Sequence, residues 1–270
     1  MMPTLHPDEF ALVAPLFRDV QLYAPVPYSV IEGNEPGTIF VDRHQNPTAS
    51  LVCSHTGYYY LAGNPGNTEF SNSLERLLFE EMGGMDSFHL FFYPSDWEEK
   101  LKMILPARAT QRTMRSYDFN PNRFSHANWE DKIPRGFCLQ SIDEILRQKF
   151  AIQIASSISH TQSWIDNNPI SKELGFCLRQ GAEVVSICCS LIAGNGLRDI
   201  SVATAEGFRK RGFATLVTAA FLDRCAAKGV TPVWHCSPEN FASNALARKL
   251  GFEEKGDFQA FHCWVKPGNP

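Results

Sequence analysis

The chain has 270 residues, enough for one large domain or for two domains of ordinary size. Hydrophobic residues make up 44% of it and charged residues 20%, proportions that are typical of a globular protein and argue against disorder or a membrane protein. The formal net charge is −4, so no general positive field exists to hold nucleic acid or an anionic membrane. Any anion site therefore has to be a local cluster.

Cysteine spacing and the N-terminus exclude further classes of protein. Eight cysteines are scattered without a C-x-x-C pair, which argues against a zinc site and favours reduced thiols that pack as small apolar side chains. The first ten residues include Asp8 and Glu9 and show no signal-peptide pattern. No apolar run is long enough to cross a membrane. We therefore expect a cytoplasmic protein, and the cysteine spacing leads us to expect no bound metal.

The first half is predicted to form a three-stranded antiparallel meander, followed by two helices with a strand between them. Its apolar segments are separated by polar and glycine-containing turns, which is the pattern expected of an α/β domain. In chain order, the predicted elements are strands over 38–42, 49–54 and 58–62, a helix over 71–82, a strand over 89–93 and a helix that begins after Ser95.

A polar and basic stretch over 108–134 separates the two halves. Pro121 and Pro134 interrupt it, so we interpret it as a connection rather than as an element of its own. This interpretation divides the chain into domains over 1–125 and 126–270.

The second half alternates strands and helices, a pattern that indicates an α/β domain with an antiparallel start and one right-handed β-α-β crossover. The predicted elements are a strand over 136–141, a helix over 142–155, strands over 176–179, 183–193 and 197–204, a helix over 215–228, a strand over 231–237 and a helix over 241–250.

The most informative segment lies between the strand at 197–204 and the helix at 215–228. It contains three consecutive cations, at 209–211, followed by Gly212 and the small Ala214. The first amides of a helix have no partners within it, and the helix dipole disfavours cations there unless an anion is bound. The segment therefore predicts a phosphate ligand, although a solvated basic turn is the competing interpretation. Neither the Walker loop nor the dinucleotide fingerprint is present.

Three sequence elements in order carry a resemblance to a known family. Ile200-Ser-Val-Ala-Thr204 precedes Arg209-Lys-Arg-Gly-Phe-Ala214, and the pattern N-x-x-S-x-x-x-A-x-K-L-G-F follows over 240–252. Together they resemble the GNAT superfamily of N-acetyltransferases, over roughly residues 135–265. The resemblance implies an α/β (α+β) protein whose C-terminal half has the GNAT acyl-CoA N-acyltransferase fold and uses acetyl-CoA.

The resemblance also implies which residues hold the cofactor. Loop amides would bind the CoA diphosphate, the preceding strand would pair with pantetheine, and an Asn and a Ser on the last helix would contact the cofactor. Positions 240, 243 and 247 share one helical face, although Asn240 alone is also explained as a helix N-cap. The implied cofactor-binding residues are Val202, Ala203, Thr204, Arg209, Lys210, Arg211, Gly212, Phe213, Ala214, Thr215, Asn240 and Ser243.

Catalytic residues are less clearly indicated. The Val202 amide is the candidate to polarise the thioester carbonyl. Asp199 is the first candidate base, because relatives often carry a glutamate there; His235 is a candidate proton shuttle and Glu206 the next carboxylate. An ion pair at a strand end and an ordinary core side chain are the alternatives for Asp199 and His235. Ala247 stands where many GNAT enzymes have a tyrosine that protonates the leaving thiolate, so another group or water takes that role, or the thiolate leaves unprotonated.

A narrower resemblance concerns the zwittermicin A resistance proteins. The segments Asp199–Thr204, Trp234–Asn240 and Leu246–Phe252 look like that family, as do N-terminal phrases such as Ile39-Phe-Val-Asp42. Its members have a GNAT domain behind an N-terminal region, and the eponymous activity acetylates an amine of an antibiotic. The N-terminal half here is either a degenerate GNAT-like half or a separate α/β domain, and we expect no second cofactor site in it.

Three functions follow from these patterns. The leading one is acetyl transfer from acetyl-CoA to an amine of a small molecule, by direct attack, with a role in antibiotic resistance. The others are a CoA-binding sensor with little turnover and the acetylation of a protein or peptide amine. Trp164 would line the acceptor site of a GNAT enzyme and stack on a cationic substrate. The sequence makes no prediction of the oligomeric state.

Overall fold

A computed structural model describes residues 2–20, 22–81, 86–105, 109–124, 128–142 and 175–265. The helix predicted over 142–155 and the predicted substrate contact Trp164 fall outside the described residues. The chain divides into two compact units. The N-terminal unit comprises Met1–Met114 and Asp257–Pro270, and the C-terminal unit comprises Arg115–Gly256.

The first part of the chain alternates helices and strands, and the helices α1 and α2 precede the meander. In chain order, these elements are α1 (Ala14–Phe17), α2 (Pro25–Ile31), β1 (Gly37–Val41), β2 (Ala49–Ser54), β3 (Tyr58–Gly63), α3 (Thr68–Arg76), β4 (Ser87–Tyr93), α4 (Trp97–Ile104) and β5 (Ala109–Phe119).

The second part repeats that alternation. Its elements are β6 (Phe137–Ser141), β7 (Gly175–Gln180), β8 (Glu183–Gly194), β9 (Leu197–Thr204), α5 (Phe213–Lys228), β10 (Thr231–Cys236), α6 (Phe241–Lys249) and β11 (Phe252–Trp264).

Two long strands were not predicted. The stretch over 108–134, interpreted above as a connection, contains the eleven residues of β5, so that interpretation was wrong. Most of the first half of β5 is exposed and polar, which hides the usual strand pattern. The thirteen-residue β11 follows the last predicted helix and has the same mixed burial. By the bounds above, β5 and β11 each contribute residues to both units.

The C-terminal unit is one mixed sheet with helices packed on it. Strands β6 to β9 run antiparallel in chain order, β9 and β10 are parallel, and residues 115–118 of β5 pair antiparallel with β10. A buried cluster of α5 side chains, including Val217 and Phe221, packs on this sheet. The aromatic residues of the predicted connection pack against the same core; they are Tyr117, Phe119, Phe124 and Trp129.

The N-terminal unit repeats this strand order with one antiparallel strand fewer among the named strands. Its meander β1–β2–β3 is antiparallel as predicted, β3 and β4 are parallel, and residues 261–264 of β11 pair antiparallel with β4. Three antiparallel strands in the N-terminal unit, and four in the C-terminal unit, lead through a helix to a parallel strand and then through a second helix. The strand after α4 completes the C-terminal unit, and the strand after α6 completes the N-terminal unit. The predicted single boundary at 125/126 therefore differs from this division, in which the last strand of each unit comes from the other half of the chain.

The two sheets differ at their parallel pair. In the N-terminal unit, β3 and β4 stay paired from Tyr58↔His89 to Ala62↔Tyr93. In the C-terminal unit, pairing of β9 with β10 ends at Asp199↔Val233, although the strands continue to Thr204 and Cys236. The C-terminal sheet therefore opens between these two strands, and the N-terminal sheet does not.

The glycine of the K-L-G-F pattern lies so close to a neighbouring backbone segment that no side chain fits there. Gly251 has φ +91°, and a Cβ there would lie 2.9 Å from the Phe124 nitrogen and 3.0 Å from the Arg123 carbonyl carbon. The Gly251 carbonyl also accepts a hydrogen bond from the Asn120 amide at 3.0 Å. A side chain would therefore be both strained at this φ and forced against the segment that holds Phe124.

We predict that Gly251→Ala lowers the free energy of unfolding by about 2–4 kcal/mol, the sum of left-handed strain and a forced backbone shift. Gly229→Ala is the matched control, because its φ is +65° but a Cβ there meets nothing within 4 Å. That control should cost about 1–2 kcal/mol. Urea titration measures both, and equal losses would contradict the close-approach argument.

Candidate active site

A cavity of about 750 Å³ occupies the opening between β9 and β10. The loop over 205–212 and the first two turns of α6 complete its walls. Its lining residues are Ile200, Ser201, Val202, Ala203, Thr204, Phe208, Arg209, Lys210, Gly212, Phe213, Ala214, Trp234, His235, Cys236, Ser237, Asn240, Ala242, Ser243 and Leu246.

Backbone direction along β9 supports the role predicted for Val202. The Ala205 amide donates to the Val185 carbonyl at 2.9 Å, and the register with β8 places Val202 opposite Cys188. Alternate residues of an antiparallel strand bond to the same neighbour, so the amides of Thr204 and Val202 point away from β8. They point to the side where β10 has separated, and both residues line the cavity.

The start of α5 has the features of an anion site. Gly212 is its N-cap with φ 82°, and no side chain caps the helix. A Cβ on Gly212 would meet nothing within 4 Å, so the space beside it is open. Because Gly212, Phe213 and Ala214 line the cavity, the uncapped first turn and its dipole face a ligand space that suits a diphosphate.

The three consecutive cations of the loop divide into two groups. Arg209 and Lys210 line the cavity, as predicted. Arg211 does not; its guanidinium lies over the rings of three phenylalanines, at 5.4 Å from Phe137, 5.4 Å from Phe208 and 4.8 Å from Phe213. The structure thus places Arg211 as a cation–π support under the loop rather than as a ligand of the cavity.

The residues of α6 that line the cavity differ from the predicted set of 240, 243 and 247 at the last position. Asn240 is the N-cap, since its side chain accepts from the Ser243 amide at 3.1 Å, and both residues line the cavity. Ala247 is fully buried and does not line it, and Leu246 takes that position. Thr215 is also away from the cavity and accepts from Lys249 Nζ at 3.4 Å.

Two candidate catalytic side chains meet where the strands separate. Since Asp199 faces Val233 at the last paired position, His235 lies just beyond the fork. The distance from His235 Nδ1 to Asp199 Oδ1 is 2.8 Å, and the exposed fractions of the side chains are 3% and 12%. His235 lines the cavity and Asp199 does not. Glu206, the next carboxylate, is exposed and lies outside the lining.

Several apolar lining residues were missed by the sequence reasoning. They are Ile200, Phe208, Trp234 and Leu246. Helical spacing from Ser243 could have indicated Leu246 as readily as Ala247, because positions three and four residues away share a face. The Trp234 indole N–H donates to Ser243 Oγ at 2.9 Å, a contact between β10 and α6 that no local pattern indicates.

Cys236 also lines the cavity, and its surroundings keep it in the thiol form. Burial raises its pKa, and hydrogen bonds with Ser243 and Trp234 oppose that rise only in part. A thiol with a raised pKa is a poor nucleophile near neutral pH. This supports the expectation that Cys236 packs rather than reacts.

The described residues offer neither a metal-binding cluster nor a membrane-crossing helix. No group of three or more His, Cys, Asp or Glu side chains that could hold a metal ion occurs within the described ranges. No helix in the described part of the chain is long and apolar enough to cross a membrane.

Comparisons with known proteins agree with this fold. The chain is 28% identical to an uncharacterized N-acetyltransferase, YdfB, of Bacillus subtilis (strain 168), over 87% of this chain and 88% of that protein. A GCN5-related N-acetyltransferase-like protein from Streptococcus suis 89/1591 superposes with TM-score 0.70 at 22% identity, covering 95% and 98% of the two chains. A tandem GNAT protein from the clavulanic acid biosynthesis pathway gives TM-score 0.63 at 12% identity, covering 97% and 94%.

These structures show the fold for both halves of the chain, so the predicted mixed α/β GNAT fold is confirmed. The narrower resemblance to the zwittermicin A resistance proteins stays a prediction. The model of the GNAT acetyltransferase family matches residues 14–261. Because this match covers both units and includes the cavity between β9 and β10, the chain belongs to the GNAT acetyltransferase family.

Proposed function

We propose that the protein transfers an acetyl group from acetyl-CoA to an amine of a small molecule, by direct attack while both are bound. The observation that carries the proposal is the buried Asp199–His235 pair at the fork of the opening between β9 and β10. A general base at the inner end of a cavity, with an anion site at the other end, suits this chemistry.

The described residues fit acetyl-CoA. The first turn of α5, Arg209 and Lys210 would hold the diphosphate, and the outward amides of β9 would pair with the pantetheine arm. When bound, acetyl-CoA supplies an acetyl group activated as a thioester. The Val202 amide would then donate to the carbonyl oxygen, a contact that strengthens as negative charge develops there.

The amine has to lose a proton before it can attack. His235 Nδ1 lies 2.8 Å from Asp199 Oδ1, which favours the tautomer with the proton on Nδ1 and makes Nε2 the basic nitrogen. In this arrangement His235 is the base, and Asp199 is a positioning residue that also stabilises the imidazolium. The role first assigned to Asp199 thus passes to the histidine that it orients.

The leaving sulfur needs less assistance. Ala247 is buried away from the cavity, so its position offers no proton donor. A free thiol has an ordinary pKa of about 8.5, so a thiolate can leave without a dedicated acid. The Ser243 hydroxyl lines the cavity, accepts from Trp234 Nε1 at 2.9 Å and also hydrogen-bonds with the Cys236 sulfur.

The acceptor class is the least constrained part of the proposal. The resemblance to the zwittermicin A resistance proteins supports an amine of an antibiotic-like small molecule. The tandem GNAT protein of the clavulanic acid pathway has the same fold, which is compatible with a small-molecule acceptor. A screen of polyamines, amino sugars and antibiotic amines, read by release of free CoA thiol, would identify it.

We predict that Gly212→Asp abolishes binding of acetyl-CoA, because it places a carboxylate in the space proposed for the diphosphate. Isothermal titration calorimetry measures this directly. Gly181→Asp is the matched control: it also has positive φ and open surroundings, but it does not line the cavity. Equal binding by wild type and Gly212→Asp would contradict the assignment of the site.

We predict that His235→Gln lowers kcat/KM by about 100-fold, the lower range for loss of a general base, while the Kd of acetyl-CoA is unchanged. Asp199→Asn should lower kcat as well, because an amide does not stabilise the imidazolium. Glu206→Gln changes an exposed carboxylate in the loop after β9 and should leave kcat/KM unchanged, and an unchanged kcat/KM in His235→Gln would refute the role of the histidine.

A further inference from the structure

One large apolar side chain beside the cavity is exposed to solvent. Phe241, the first residue of α6, is 80% exposed. Its neighbours Asn240 and Ala242 both line the cavity. An exposed aromatic ring is unremarkable by itself, but this one stands at the mouth of a proposed ligand site.

The N-terminal unit shows what the equivalent position does when the two parallel strands stay paired. Trp97 is the first residue of α4, the helix that follows the parallel strand β4, just as Phe241 begins the helix that follows β10. Trp97 is fully buried, and its indole N–H donates to the carbonyl of Gly63 at 3.0 Å. Gly63 is the last residue of β3, which corresponds to Thr204 at the end of β9.

In the N-terminal unit, then, the first aromatic ring of the helix covers the end of the neighbouring parallel strand. In the C-terminal unit, the equivalent strand end at Thr204 lines the cavity, and the ring of Phe241 remains in solvent. The ligand space of the C-terminal unit thus corresponds to the position that the ring of Trp97 fills in the N-terminal unit. A bound ligand is therefore the natural partner for the ring of Phe241.

The chemistry of acetyl-CoA identifies which part of the ligand this is. Parallel strands end at the same edge of a sheet, so the loop after β9 and Phe241 after β10 lie at one edge. The pantetheine arm would extend inward from the diphosphate, and the adenosine would remain at that edge. Adenine is the only flat aromatic group of acetyl-CoA. We propose that Phe241 stacks on the adenine of acetyl-CoA, an inference that rests on the proposed function.

Calorimetry with two ligands tests this subsite. Acetyl-CoA carries the adenosine, and acetyl-4′-phosphopantetheine lacks it but keeps the thioester arm. We expect Phe241→Leu to weaken acetyl-CoA binding about tenfold, within the range of base–aromatic stacking, and to leave acetyl-4′-phosphopantetheine unaffected. Phe241→Trp retains a stacking surface and should restore the affinity for acetyl-CoA.

Each other outcome overturns the proposal in a distinguishable way. An equal loss for both ligands places the ring on the pantetheine arm, and no loss for either shows that the ring contacts neither. If wild type binds neither ligand, the proposed function itself fails. Met103→Ala is the control, because it removes an exposed apolar side chain, 75% exposed, that does not line the cavity. It should bind both ligands as wild type does.

Discussion

The candidate site depends on the place where β9 and β10 cease to pair. Beyond Asp199↔Val233, both strands continue without each other, and none of the described strands pairs with the outward amides of β9 on that side. Backbone polar groups need partners, so such an opening is costly unless water or a ligand supplies the missing hydrogen bonds. The His235–Asp199 pair lies at this separation, and the start of α5 lines the same cavity. One break in the ladder thus creates the cavity, the base and the anion site together.

The N-terminal unit shows the same topology with that opening closed. Its parallel strands remain paired, and its equivalent helix, α3, is capped by Asn67, whose side chain accepts from the Phe70 amide at 3.0 Å. Asp42 in turn accepts from Asn67 Nδ2 at 3.0 Å, so a carboxylate of the protein lies beside this cap. Together with the buried Trp97, these contacts fill the region that is open in the C-terminal unit. We interpret the N-terminal unit as a GNAT fold that retains the architecture without the opening between its parallel strands.

Much of this could be predicted from the sequence because the signals are local. The strand at 197–204, Gly212 and the N-cap Asn240 follow from short-range patterns that the structure reproduces. The exchange of β5 and β11 could not be predicted, since pairing between distant strands leaves no local signal and half of β5 is exposed. Arg211 was assigned to the ligand because its charge is evident in the sequence, whereas the three rings that hold it come from separate elements.

The most direct test of the opening is hydrogen–deuterium exchange with and without acetyl-CoA. We expect slower exchange over 200–204 and over 212–215, where amides of β9 and of the start of α5 gain partners. We expect no change over 58–63, because β3 is already paired on both sides. Protection of β3, or no protection of β9, would contradict the claim that the separation of β9 and β10 is the cofactor site.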